Sequence, residues 1–544
     1  MKKVSLYFHT LKYLKLKQFG YRLLKKLSHP KVNFFDDIAT LAPSVTTWIA
    51  QPLGKQKFLS ETDCCFLNKP GSVLSQDDWN EPAQEKLWLY NLHYFDDLIA
   101  KNASERRAAQ SVWLDNWIKH NPAPKGNGWE PYPISLRVVN WVKAFLDGFD
   151  PKQAWLNSLA TQADYLSQEL EYHLLGNHLF VNGKALLFAG CFIEGQEANR
   201  WLEKGAEIIG QELDEQVLED GANFELTPMY HAIMLVDLLD MVNLGRTFPA
   251  KFPKILLKRL EDKIPAMLQY LADMSHIDGK ISFFNDSALG IAPDNAEIFE
   301  YAKSLGFSQP TVSYADLTTI DYPKAGHVVV KSSDVSLIAD LSQIGPTYIP
   351  GHAHADTFSF ELAVEGKRVF VNSGISEYGL SSERLRQRQT SAHNTVAIDG
   401  IDSCEVWSGF RVARRGNTIQ RTVDINKHQF SASHTGFKQQ GINCLHKREW
   451  QVSSNKLVIA DELIGSYDEA EGYLHLHPDV DISHVDTSEV TLNIGGTELK
   501  LATEGAHFRV AETSWHPEFG ISVPTKKIVY IFDKPSVVTQ ITWK

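Results

Sequence analysis

Between about residues 83 and 305 the apolar positions return every three or four residues; after about residue 317 they return every second residue. This change of period predicts two bodies of different architecture. In the first, Leu179, Phe180, Gly183, Leu186, Leu187 and Gly190 lie at helical spacing, as do Ile233, Met234, Val236, Leu238, Leu239 and Val242. Further helical stretches fall near 83–101, 105–119, 134–148, 151–172, 195–216, 252–274 and 294–304. Thr227 followed by Pro228 reads as a helix cap with proline at the first helical position. Many antiparallel helices without strands between them suggest a bundle or an α/α toroid. In the second body, 327–330, 336–339 and 358–364 read as strands. Glu365-Gly366-Lys367 turns the chain into 368–371, Asp399-Gly400 ends the strand 394–398, and strand-like segments recur up to 528–531. The expected class is α+β and multidomain: a lead-in over 1–80, a helical domain over 81–315, and an antiparallel β-sandwich or stacked sheets over 316–544.

A chain of 544 residues is too long for one core, and 43% hydrophobic with 22% charged residues is ordinary globular composition. The net charge of −12 argues against nucleic acid as a partner. That charge is uneven. Residues 1–32 hold nine Lys/Arg and no Asp or Glu, interleaved with Leu, Tyr and Phe. Two readings stand: a basic amphipathic helix lying on an anionic membrane surface, or a helix packed on its own domain with a solvated basic face. Lys12, Lys15 and Lys17 interrupt any apolar core of a secretory signal, and no run approaches the length of a membrane span. Five cysteines, with spacing that fits neither disulfide framework nor zinc ribbon, read as reduced thiols. The expected location is the cytoplasm, or the inner face of its membrane.

Several polar clusters carry candidate chemistry. Asn177-His178 stands before an apolar helix, where Asn177 reads either as a cap or as an anion-facing amide. Tyr230 falls in the first turn after Thr227, where the positive helix end should modestly lower its pKa. Glu225 and His231 flank it. His352 and His354, two apart, would share a face of an extended segment, a common metal-ligand arrangement. His393 and Asn372 could add ligands from neighbouring strands. Arg384, Arg386 and Arg388 could grip a carboxylate or sulfate. Tyr90, Asn91, His93, Trp129 and Arg137 form polar–aromatic patches on the early helices; they read either as sugar subsites or as helix–helix interfaces.

Taken in order, Asn177-His178, Asp220-Gly221 with Glu225 and Pro228-Met229-Tyr230-His231, Gly351-His352-Ala353-His354-Ala355-Asp356, and His393-Asn394-Thr395 resemble the heparinase II/III-like polysaccharide lyases. The resemblance implies an incomplete α/α toroid followed by an antiparallel β-sandwich, and cleavage of a uronic-acid-containing, acidic polysaccharide by β-elimination. It implies that Asn177 and His178 neutralise the uronate carboxylate, that Tyr230 is base, acid or both, and that His352 assists proton transfer. Trp129, Arg137, His93, Asn91, Glu225 and Arg388 are candidates for substrate binding. No organic cofactor is implied. His354 and His393 match positions that hold a structural metal, usually zinc, in some members. The third ligand there is an aspartate, and here Asn372 stands in its place. A second departure is Asn285-Asp286 where the family has Gly-Asp.

The chemistry is coherent. The C5 proton of a uronate is weakly acidic because the neighbouring carboxylate is already anionic. Donors that neutralise the carboxylate stabilise the charge that develops when the proton leaves. Tyrosine and histidine can then move protons without water. Two other readings remain at this point: a glycan-binding protein of the same fold, and a glycoside hydrolase, which needs two carboxylates flanking one bond. Glu225, Asp286 and Glu361 are its candidates.

Overall fold

The computed structural model describes residues 2–27, 30–41 and 48–544, so residues 1, 28 and 29 of the basic segment and 42–47 of the loop-rich lead-in lie outside it. Nine α-helices, from Lys86–Tyr94 to Asn295–Ser304, build the first body. They include Pro131–Leu146, Gly176–Phe192 and Pro228–Thr247, the three that carry the residues of the site. Their apolar faces bury a core rich in large rings: Trp79, Trp113, Trp117 and Trp141 are each at most 1% exposed. Such rings bury area that dominates core energetics. Most of the chain's tryptophan therefore belongs to packing rather than to a sugar surface. Thr227 caps its helix as expected, with Oγ1 accepting from Tyr230 N at 2.9 Å.

The second body begins at the strand Thr318–Tyr322 and is antiparallel throughout its named sheets. Thr318–Tyr322, His327–Lys331, Val335–Asp340, Phe360–Val364 and Lys367–Phe370 form a five-stranded meander. An eight-stranded sheet runs from Thr418–Asp424 through Cys444–Ser453 and Ser536–Trp543 to Asp481–Val485. A four-stranded sheet holds Ala506–Trp515, Val523–Phe532, Ala470–His475 and Val396–Ile398. Val328, Phe360, Trp450, Leu474 and Ile541 belong to one continuous core beneath these sheets. Glu365 and Gly366 both take positive φ, 49° and 77°, which is the two-residue turn that suits the twist of a hairpin.

The segment 350–359, expected to be extended, is instead a loop that meets the end of the helical body. Asn285 stitches the two bodies together. Its Nδ2 donates to Leu226 O at 3.0 Å and its Oδ1 accepts from His354 N at 2.9 Å. Asp286 N donates to His352 O at 3.0 Å. Among the described residues no helix is long and apolar enough to cross a membrane.

Candidate active site

Three stretches at this seam enter the site through backbone that ordinary residues avoid. Leu175 (φ 69°) precedes Asn177 and His178, Leu226 (φ 59°) precedes the helix of Tyr230, and Asn285 (φ 54°) precedes Asp286. Each left-handed non-glycine residue costs on the order of 1–3 kcal/mol and persists only where the surroundings fix it. Asn177 therefore does not cap its helix, which starts at Gly176. It faces a small cavity together with Glu225, Tyr230 and Asp237.

On the toroid side, His178 Nδ1 lies 3.1 Å from Glu171 Oε1, and its ring packs 4.7 Å from that of Tyr132. Burial alone would lower the pKa of His178. The Glu171 carboxylate outweighs burial, and the pKa is raised. His178 thus tends to carry positive charge with Nε2 free of Glu171. Tyr132 OH also accepts from Asn177 Nδ2 at 3.5 Å.

Across the seam, the His352 ring lies 4.1 Å from the Tyr230 ring, and Tyr230 OH is 3.1 Å from Tyr378 OH. Burial pushes the Tyr230 phenol well above its ordinary pKa, and the neighbouring tyrosines add to that. This corrects the expectation from the helix end: a partial positive charge at a terminus does not offset loss of water.

Asp286 is the hub. Its Oδ2 lies 2.8 Å from His352 Nδ1, its Oδ1 2.8 Å from His354 Nε2, and Arg384 grips it with both NH1 and NH2. Burial would raise the Asp286 pKa, but Arg384 and the two imidazoles hold it well below the carboxylate range. An ionised Asp286 fixes the His352 tautomer with the proton on Nδ1, which leaves a lone pair on Nε2. That nitrogen lies 3.7 Å from Glu225 Oε2. Glu225 is only 4% exposed, and burial raises its pKa.

The structure separates the other candidates from this site. Arg137 is fully buried. It donates to Gln162 Oε1, His93 O and Gly128 O at 2.7–3.0 Å and stacks on Trp117 at 3.8 Å. His93 is held between Trp79 O and Trp117 Nε1, and Trp129 donates to Asn121 O. Asn91 bonds back to Leu87 O on its own helix. Arg137, His93 and Trp129 are interior structure, and Asn91 is half-buried. Arg388 is likewise buried; it holds Ala353 O, Ser408 O and Arg411 O, supporting the His352 loop from behind.

The pair His352/His354 does not face a shared metal position; both imidazoles face Asp286. His354 and His393 do approach, with Nδ1 and Nε2 3.0 Å apart. His354 Nε2 faces Asp286 and His393 Nδ1 faces Gln389 O, so two lone pairs point at one another. Two nitrogens alone do not make a zinc site, and among the described residues no group of three or more His, Cys, Asp or Glu is placed to hold a metal. Asn372 does not complete the set: its Oδ1 accepts from Ser359 Oγ and Asn394 N, and its amide nitrogen is left without a partner.

Sequence reasoning missed Tyr378, Tyr132 and Glu171, and read Asp286 as part of a departure and as a hydrolase carboxylate, not as the residue that orients His352. Glu171 lies seven residues before His178, two helical turns by number, yet on an irregular segment where no period marks it.

Two family descriptions match the chain: heparinase II/III N-terminus over residues 79–304, and heparinase II/III-like, C-terminal, over residues 317–544. The chain belongs to the heparinase II/III-like family. Heparin-sulfate lyase of Bacteroides stercoris is 26% identical over 427 residues, 72% of this chain and 60% of that protein. Heparin-sulfate lyase of Pedobacter heparinus is 27% identical over 413 residues, 69% of this chain and 58% of that protein. The chain thus spans about three-fifths of the length of these curated relatives. A crystal structure of heparinase III superposes with TM-score 0.71 at 18% identity, covering 88% of this chain and 81% of the other. Heparan sulfate lyase from Pedobacter heparinus superposes with TM-score 0.59 at 18% identity, covering 87% and 79%. The heparinase II/III fold, a helical toroid followed by antiparallel sheets, is the fold of this chain.

Proposed function

We propose that this heparinase II/III-like chain is a lyase that cleaves a uronic-acid-containing polysaccharide by β-elimination. One observation carries the reading: Asn177 faces the same small cavity as Tyr230, the neighbouring His178 is paired with Glu171, and the Tyr230 ring lies 4.1 Å from that of His352, whose Nδ1 is held by Asp286. Asn177 and His178 bind the carboxylate and offset its charge as the C5–H bond weakens. His352 Nε2 takes the C5 proton, the electron pair forms the C4–C5 double bond, and the C4–O4 bond breaks. Tyr230 returns a proton to O4, with Tyr378 hydrogen-bonded behind it. Atoms balance without water.

Asp286 orients His352 and stays ionised. The hydrolase reading lacks a second free carboxylate at Glu225, because Asp286 is engaged by Arg384, His352 and His354.

The names of the curated relatives make heparan sulfate and heparin the first substrates to offer, with other uronate polysaccharides beside them. The test is the ultraviolet absorbance of the 4,5-unsaturated product. A rise with wild-type protein that vanishes in Tyr230→Phe is expected. New reducing ends without that absorbance would mean hydrolysis and sink the proposal.

A further inference from the structure

The two N-terminal helices, Lys2–Leu11 and Leu16–Leu27, pack on the protein the wrong way round for a soluble domain. A surface helix ordinarily buries its apolar stripe and leaves its polar face to water. In Leu16–Leu27 the inward face is Gln18, Tyr21 and Lys25. Gln18 is buried and donates to Leu174 O, Tyr21 stacks on Tyr172 at 4.6 Å, and Lys25 lies 3.8 Å from Glu169. Leu16, Phe19, Leu23 and Leu27, spaced three or four apart, share the opposite face. They are 88%, 44%, 62% and 69% exposed.

The first helix repeats the arrangement. Its inward contacts are Ser5 to Arg414, Tyr7 against Trp407 at 5.0 Å, and Thr10 to Trp407 Nε1. Val4, Phe8 and Leu11, again three or four apart, point outward. Contiguous exposed apolar surface of this kind marks an interaction site.

Charge identifies the occupant. Lys3, Lys12, Lys17, Arg22 and Lys26 are exposed around these apolar rows. The segment has no acidic residue, while the chain as a whole carries −12. An anionic surface would repel most of the molecule and attract this segment. Apolar residues flanked by Lys and Arg suit the boundary between lipid headgroups and acyl chains.

We propose that these two helices form a docking face for an anionic lipid membrane. The two helices rest on segments that adjoin the site. One helix rests on Trp407 and Arg414, next to Phe410, whose ring lies 6.0 Å from His352. The other rests on the segment 169–174 that leads into Asn177 and His178. Docking would hold the cleft close to a membrane, in reach of a polysaccharide attached there. The membrane contact itself does not depend on the lyase reading.

The test is cosedimentation of the full chain with vesicles of phosphatidylcholine, with and without phosphatidylglycerol. Binding is expected only when the anionic lipid is present, and it should weaken with salt. Lys17→Glu should weaken it roughly fivefold or more, and Leu23→Ser with Leu24→Ser by about tenfold or more, with unchanged melting temperature. No binding to the anionic vesicles, or equal binding to neutral ones, would overturn the proposal. So would a dimer in solution that the Leu23→Ser, Leu24→Ser variant dissolves, because a second copy would then cover the face.

Discussion

Two polar–aromatic clusters on the toroid look alike in sequence and differ in what their polar atoms do. Around Arg137, every side-chain nitrogen finds a protein acceptor, and His93 and Trp129 are equally satisfied. Around Tyr230, His178 has one nitrogen on Glu171, Glu225 Oε2 has no hydrogen-bond partner, and Tyr230 meets only another phenol. A buried polar group without a partner carries a penalty that an ordinary core does not tolerate. The first cluster is interior structure with polar atoms in it. The second keeps capacity for a ligand. Residue type does not tell them apart; what differs is that Arg137, His93 and Trp129 spend their polar atoms on protein partners, whereas His178, Glu225 and Tyr230 keep atoms that do not.

Substitutions should therefore split cleanly between the two. Tyr230→Phe should lower kcat by about 10²–10⁴ while the melting temperature stays near wild type. Asn177→Ala should lower kcat/KM by about 10²–10³, again with little change in stability. Arg137→Met should do the reverse. It removes three hydrogen bonds and the Trp117 stack, so roughly 2–4 kcal/mol of stability should go in a denaturant titration, with kcat of the folded fraction unchanged. A drop in kcat for folded Arg137→Met would erase the distinction.

A smaller effect lies in pH. His178 has a raised pKa, so its charge is complete below the ordinary value of 6.5 and is lost as pH climbs through the raised value. Glu171→Gln should move the alkaline limb of kcat/KM to lower pH, because the carboxylate that raises the His178 pKa is gone. An unshifted limb would mean that His178 charge does not bind the substrate.

Much of this was legible before any coordinates, and the reason is locality. The Thr227 cap, the Glu365-Gly366 turn and the switch from helical to alternating period depend on neighbours within a few residues. The fate of Arg137 depends on Gly128 and Gln162, and that of Asp286 on Arg384, 98 positions away. No spacing rule reaches such pairs. The Tyr230 pKa failed as an expectation for the same reason. The helix end is local, whereas burial and the phenols of Tyr378 and Tyr132, which add to its effect, come from the tertiary fold. The basic N-terminus shows the limit from the other side. Its amphipathic pattern was visible, but which face turned inward was not.

The central claim is the division of proton work between His352 and Tyr230. Fluoride at C4 of a uronate departs without needing a proton. With that substrate and a fluoride electrode, Tyr230→Phe should release fluoride at a rate near wild type, and His352→Ala should release almost none. If Tyr230→Phe is as slow on the fluoride as on polysaccharide while His352→Ala still works, Tyr230 removes the C5 proton and the assignment is wrong.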